Sequence, residues 1–229
     1  MPGGAVLMAT ADTNRVEAPV TVRAYLMCAF AAFGGIFFGY DTGWMGSVQG
    51  MPYFITQYTG IPKPGPDASE AVKKAFSLAS WQKSLTTSIW SAGTFFGAII
   101  AGDIADFIGR RLTIIGGCFI FTIGCICQTA STGIALMCVG RVIAGLGVGF
   151  ISAIIILYMS EIAPRKVRGA LVSGYQFAIT IGILLASCVT YATQNRNDTG
   201  SYRIPISIQF LWAIILGEQP FLPPPPPSL

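Results

Sequence analysis

An all-α integral membrane protein with six transmembrane helices is the fold class this sequence predicts, on three observations. Hydrophobic residues fill 53% of the 229 positions and charged residues only 10%, where a soluble domain carries about 25% charge. Mean hydropathy is +0.64; so few charges cannot cover a soluble surface but suit a chain solvated mostly by lipid. The charges also bracket long uncharged runs, at 24–40, 42–62, 84–102, 112–140, 142–160, 169–195 and 204–217. Those runs are continuously apolar, whereas the strands of a membrane β-barrel would alternate.

A helix needs about 20 apolar residues to cross a hydrocarbon core roughly 30 Å thick. The first span is expected at 24–46, with Asp41 inside it. Residues 51–83 form the one large extracellular loop; Pro62, Pro64 and Pro66 make its first half irregular, and 68–80 suits a short amphipathic helix. The second span follows at 84–105. The run 112–140 is too long for one helix, and Ser131-Thr132-Gly133 supplies a turn within it, since such small polar and glycine clusters punctuate helices. Spans three and four then lie at 112–130 and 134–160, the latter enclosing Arg141, and spans five and six at 169–192 and 203–219. Three segments result: a polar cytoplasmic tail over 1–23, a transmembrane domain over 24–217 and a proline-rich tail over 218–229. The first tail lacks the apolar core and cleavage pattern of a signal peptide, so the first span acts as an uncleaved anchor. The last is expected as an extended polyproline II end.

Orientation follows from Lys and Arg near the span ends. One side holds Arg15, Arg23, Arg110, Arg111, Arg165, Lys166 and Arg168 in short segments; the other holds Lys63, Lys73, Lys74 and Lys83, diluted by Asp67 and Glu70, plus Arg196. Both termini are therefore expected in the cytoplasm.

Several function classes drop out. Net charge is 14 − 10 = +4 and scattered, which argues against a nucleic-acid partner. The chain has no His, so the usual general base and commonest metal ligand are missing; an enzyme is not expected. The six cysteines (28, 118, 125, 127, 138, 188) all fall within the spans, and Cys125 and Cys127 would point about 200° apart on a helix. They suit apolar packing, with no metal and no cofactor. The glycines of GLGVG (145–149) lack a preceding strand and the dinucleotide spacing. With Gly35, Gly39 and Gly43, and with Gly93 and Gly97, they fit as small residues that let helices approach closely. Asn197-Asp198-Thr199 is a glycosylation sequon in a very short loop.

The intramembrane charges are more informative, because an ionisable group in a bilayer is costly and faces a partner or a water-filled path. Asp41 lies 18 residues beyond Arg23, about 27 Å along an outward-running helix. Arg141 lies seven residues into a span entering from outside, about 10 Å deep. Both belong to the outer half of the membrane and are expected to pair. Such a pair is either purely structural or a carboxylate whose protonation follows the proximity of Arg141.

Five segments, GGIFFGYDTG (34–43), GDIADFIGRR (102–111), GRVIAGLGVGF (140–150), YMSEIAPRKVRGALVSGYQFAITIG (158–182) and SYRIPISIQ (201–209), together resemble the sugar porter family of the major facilitator superfamily, with fungal monosaccharide transporters as the nearest kind. The resemblance runs from about residue 24 to 217 and implies the N-terminal half of that fold, a 3+3 inverted repeat. It implies transport of a monosaccharide, a hexose such as glucose, by alternating access in symport with a proton across the plasma membrane. Under it, Asp41 resembles the proton-coupling aspartate and Arg141 its partner. Gln176 matches a glutamine that hydrogen-bonds sugar hydroxyls, Ile179 and Ile183 follow it on the same face, and Phe38 matches an aromatic packing against the sugar. Glu161, Asp106, Arg110, Arg111 and Arg168 resemble an ion network that closes the inner gate; topology alone would need the basic residues but not the acids.

The family carries six further helices, whereas here Glu218-Gln219-Pro220-Phe221-Leu222 and five prolines follow the sixth span. That departure reads as a truncated half whose partner is the missing half or another copy of itself. A sugar sensor or an inactive fragment is the alternative; sensors signal through a long cytoplasmic tail, which ten proline-rich residues do not supply. Topology is directly testable. Reporters fused after residue 22 or 229 should read cytoplasmic and one placed within 60–75 extracellular; the inverse pattern would overturn the orientation.

Overall fold

The computed structural model describes residues 22–62, 64–65, 76–162 and 168–217, with side chains from Ala32 onward in the first helix. Seven helices and no strands occur among the described residues. They are α1 (Val22–Val48), the short α2 (Pro52–Thr59), α3 (Ser80–Ile108), α4 (Arg110–Thr129), α5 (Ile134–Ile162), α6 (Arg168–Thr193) and α7 (Gly200–Gly217). The six long helices follow the six expected spans to within four residues at each described end. Four of them, α3, α4, α5 over Ile134–Leu157 and α6 over Leu171–Thr193, are long and apolar enough to cross a membrane. The turn expected at 131–133 separates α4 from α5.

The loop after α1 differs from expectation. Its first half carries the helix α2, because Pro52 occupies the first helical turn, where the missing N–H costs nothing, and Gly60 closes it at φ 71. That left-handed conformation is open to glycine without penalty. Phe54 and Ile55 of α2 are buried, and Phe54 stacks on Tyr58 and meets Tyr202 edge-on. Burial pushes the Tyr58 hydroxyl up to about 12, so it stays protonated and bonds Ser131 in the α4–α5 turn. The amphipathic helix expected over 68–80 falls largely outside the described residues; 76–79 are not helical and Ser80 already begins α3. Residues 1–21, 163–167 and 218–229 also lie outside them, and with them the proline-rich tail, all but the last two residues of the N-terminal tail, and Arg165 and Lys166; Val22 and Arg23 already belong to α1.

Two helix pairs make the most extensive contacts, α1 with α6 and α3 with α5, followed by α4 with α5. In a 3+3 inverted repeat the first two pairs are counterparts, since the first span maps to the fourth and the second to the fifth. Both seams are built from glycine. A Cβ on Gly39 would collide with the Ile179 carbonyl oxygen, and one on Gly182 with that of Ile36. Across the other seam a Cβ on Gly93 would lie 2.6 Å from the Val142 oxygen, and one on Gly145 would lie 2.5 Å from the Trp90 oxygen. Small residues bring the backbones this close because in lipid the helices gain by van der Waals packing rather than by a hydrophobic drive. The outward faces carry Phe95, Phe96, Ile99 and Ile100 on α3 and Phe119, Ile123 and Ile126 on α4, all exposed, as a lipid-facing surface requires.

These seams make a sharp stability prediction. Gly39→Ala should lower the thermal unfolding midpoint of the solubilised chain, at a cost of about 1–3 kcal/mol from overpacking. Gly46, with nothing within 4 Å of its Cβ position, should accept alanine with no loss or a gain of up to about 1 kcal/mol. Equal melting of the two variants would refute the close-approach role.

Candidate functional site: a buried carboxylate shared by four helices

Asp41 lies seven residues before the end of α1, and Arg141 seven residues after the start of α5, on the same side of the bundle. Both are buried, at 1% and 2% exposure. Arg141 Nη1 stands 3.9 Å from Asp41 Oδ1, close enough for strong Coulomb attraction but too long for a hydrogen bond. Its guanidinium instead lies over the Trp44 ring, 4.3 Å from the centroid, a favourable cation–π placement in a dry site. Among the described residues, Arg141 Nε and Nη2 have no hydrogen-bond acceptor.

The direct bonds to Asp41 come from neutral donors. Gln209 Nε2 on α7 donates to Oδ1 at 2.7 Å and Trp44 Nε1 to the same oxygen at 3.2 Å. Trp90 Nε1 on α3 donates to Oδ2 at 2.7 Å. Gln209 in turn accepts a bond from the Cys125 thiol on α4 at 3.2 Å. A carboxylate in a low-dielectric interior loses water that must be replaced donor by donor, and here α1, α3 and α7 each supply one while α5 supplies the countercharge. Tyr40 beside it anchors α1 to α7 through a 3.0 Å bond to the Pro205 carbonyl.

Trp44, Trp90 and Gln209 are functional candidates that sequence reasoning does not single out. Trp44 sits at i+3 from Asp41, and thus on the same helix face. Gln209 is a polar amide within a span and closes the SYRIPISIQ segment. Trp90 carries no comparable signal, because an indole in an apolar run reads as packing.

The other expected site residues are dispersed. Phe38 is half-buried against the core, its ring 5.9 Å from that of Trp90. On α6, Gln176 is exposed, Ile179 half-buried and Ile183 39% exposed, so this face is presented to the outside of the bundle. Of the cluster expected as an inner-gate ion network, Asp106 and Arg110 form a 3.1 Å bridge, with side chains 73% and 21% exposed; Arg111 is exposed. The side chains of Glu161 and Arg168 lie outside the described residues. Cys125 is buried and Cys127 half-buried, and no metal-ligating group occurs among the described residues.

Comparison with known proteins bears on these residues. The family model described as "Sugar (and other) transporter" matches residues 27–226. Major facilitator-type transporter ecdD of Aspergillus rugulosus is 49% identical over 205 residues, covering 89% of this chain and 36% of that protein. High glucose sensor RGT2 of Saccharomyces cerevisiae is 44% identical, covering 86% and 24%. Probable glucose transporter rco-3 of Neurospora crassa is 37% identical, covering 85% and 32%. The chain thus spans between a quarter and about a third of the length of these curated relatives. Among solved structures, the inward open xylose transporter XylE of E. coli superposes with TM-score 0.66 at 24% identity, covering 85% of this chain and 47% of that one. A D-xylose-proton symporter gives 0.64 at 23%, covering 84% and 46%. The fold is that of the major facilitator transporters, and the chain is a multi-pass membrane protein.

The donor cage predicts an asymmetry between the two buried charges. Asp41→Ala strands three N–H donors and a buried cation, and should cost about 3–5 kcal/mol. Arg141→Met leaves a carboxylate that still accepts three bonds and should cost less. Thermal unfolding of the two solubilised variants checks this; an equal or larger loss for Arg141→Met would mean the neutral donors do not hold the carboxylate.

Proposed function

The chain belongs to the sugar transporter family, and on that premise we propose that it forms one wall of a path carrying a monosaccharide, a hexose such as glucose, in symport with a proton. The observation that supports this reading is the Asp41 carboxylate, buried with a countercharge it does not hydrogen-bond. A purely structural pair would be expected at bonding distance with every donor of the arginine satisfied. Here the contact is held by charge alone, so a proton on Asp41 removes most of what keeps Arg141 beside it. Arg141 then relies on the Trp44 face, and α1 and α5 are free to change their relation. Asp41 and Arg141 are the proton-coupling pair in this proposal.

The sugar-binding residues we propose are Phe38, Gln176, Ile179 and Ile183. A pyranose offers hydroxyls to an amide and a C–H face to aromatic and aliphatic groups. Gln176 has an exposed amide on α6, and Phe38 and Ile179 flank the α1–α6 seam. Alternating access needs two units rocking about a site between them, so the opposite wall is supplied by polypeptide other than these six helices. At the other end of the bundle, Asp106, Arg110 and Arg111, with Glu161 and Arg168, act as a latch on the inner gate; exposed pairs are worth about 0–1 kcal/mol each, which suits a contact broken every cycle. We place the protein in the plasma membrane, with both ends of the six-helix unit cytoplasmic.

A second reading, sugar reception without net transport, is favoured by the 44% identity to a protein described as a high glucose sensor. Uptake separates the two. With residues 1–217 joined to the second half of the 49% identical relative, labelled glucose should accumulate in liposomes under a proton gradient. Asp41→Asn should abolish accumulation while preserving exchange, because it removes the titratable proton and leaves Gln176 in place. Gln176→Ala should weaken sugar affinity by about 1–3 kcal/mol through the hydrogen-bonding partner lost to the bound sugar. Binding without accumulation in the parent fusion would favour the sensor; accumulation retained by Asp41→Asn would remove Asp41 from the coupling.

A further inference from the structure

We propose that Trp90 is the positioning residue that ties the aromatic wall at Phe38 to the charge state of Asp41. This rests on the symport reading above and names the link within it. Phe38 and Asp41 lie one turn apart on the same face of α1, and Trp90 of α3 reaches both. Its indole N–H donates to Asp41 Oδ2 at 2.7 Å, and its ring lies 5.9 Å from that of Phe38 at 49°. Its backbone is fixed from behind: the Trp90 carbonyl occupies the space where Gly145 lacks a side chain, 2.5 Å from the Cβ position. Gly145 is one turn beyond Arg141 on α5, so the backbone that carries the indole is seated on the helix with the countercharge.

The distribution of donors on Asp41 decides which bond yields to a proton. Oδ1 takes bonds from Gln209 and Trp44 and faces Arg141. Among the described contacts, Oδ2 takes a bond from Trp90 alone. A proton arriving from the aqueous side therefore binds Oδ2, turning it into a hydroxyl oxygen that accepts more weakly, and the bond from the Trp90 N–H loosens. A loosened indole lets the ring that backs Phe38 move. By linkage, a sugar that favours the ring position reached on protonation favours the protonated carboxyl in turn, as symport requires. Among the described residues, the charged and titratable groups facing this carboxylate are Arg141 from α5 and, behind Gln209, Cys125 from α4. The groups from α3 and α7 are the neutral Trp90 and Gln209, and α6 carries no charge beyond Arg168 at its far end.

Two variants separate the functions of the indole: Trp90→Phe keeps a ring and loses the donor, whereas Trp90→Gln keeps a donor and loses the ring. The first measurement uses the 229-residue chain in lipid nanodiscs and follows tryptophan emission against pH, with Trp44 as a second reporter on the same carboxylate. The parent should show a transition that Asp41→Asn removes. Trp90→Phe should move its midpoint about one unit toward alkaline pH, since losing a donor to the ionised form favours protonation, while Trp90→Gln should leave the midpoint in place. An unmoved midpoint in Trp90→Phe, or an equal shift in both variants, overturns the proposal. The second measurement is glucose uptake by the fusion with a relative's second half. Trp90→Phe should shift the pH profile of uptake by the same amount at unchanged exchange affinity, and Trp90→Gln should raise the half-saturating sugar concentration several-fold at an unchanged profile. If the parent fusion shows no proton-driven uptake, the symport reading fails while the emission midpoints still decide whether Trp90 governs Asp41. If uptake is proton-driven but both variants change both readouts together, Trp90 is only a spacer and the link is refuted.

Discussion

A carboxylate inside a membrane bundle has to be solvated by protein, and that requirement organises the centre of this molecule. Water would offer Asp41 several donors at no structural cost; here each must be carried in on a different helix. Gln209 can reach it only if α7 lies against α1, and Trp90 only if α3 does. The Arg141 countercharge adds α5, and the Cys125 thiol behind Gln209 adds α4. One side chain on α1 thereby fixes the mutual position of five helices. The aromatic collar of Trp44 and Trp90 keeps the dielectric low, which strengthens the Asp41–Arg141 attraction across a gap too wide for a bond.

The glycine seams make such convergence possible. Side chains as large as tryptophan reach a common point only when the backbones behind them stand close together, and Gly145 lets the Trp90 backbone settle directly on α5. The packing of small residues and the polar centre are thus one arrangement seen from two sides. Each bond at Asp41 presupposes a seam that brings its helix near enough.

Much of this was legible in the sequence, for physical reasons. Long charge-free runs are the one signal a bilayer imposes on every span, so the six long helices and the turn at 131–133 could be placed from charge spacing. Residues 41 and 141 could be set at one depth because helix rise is constant, and the structure has them 3.9 Å apart. The helix α2 was obscured because Pro52 and Gly60, its start and stop, are also loop signals. The cage around Asp41 was obscured for a different reason. Indole and amide donors carry no charge and leave no mark in a hydropathy pattern, and a partner from another helix has no fixed offset in sequence. Gln176 shows the converse: it stands out in sequence, yet within these helices it faces outward.

The seams between α1 and α6 and between α3 and α5 have a mechanical consequence. Where two helices meet through side chains, they can slide by swapping rotamers, and the interface yields gradually. Backbone resting in a glycine notch has no rotamers to exchange. Each pair therefore behaves as a single thick strut, stiff along its length and unable to creep. Any large motion of this unit has to pass around the struts, at the line where α1 of one meets α5 of the other, through the contacts of α7 and at the short turns, which makes those few joints the compliant parts of an otherwise rigid frame.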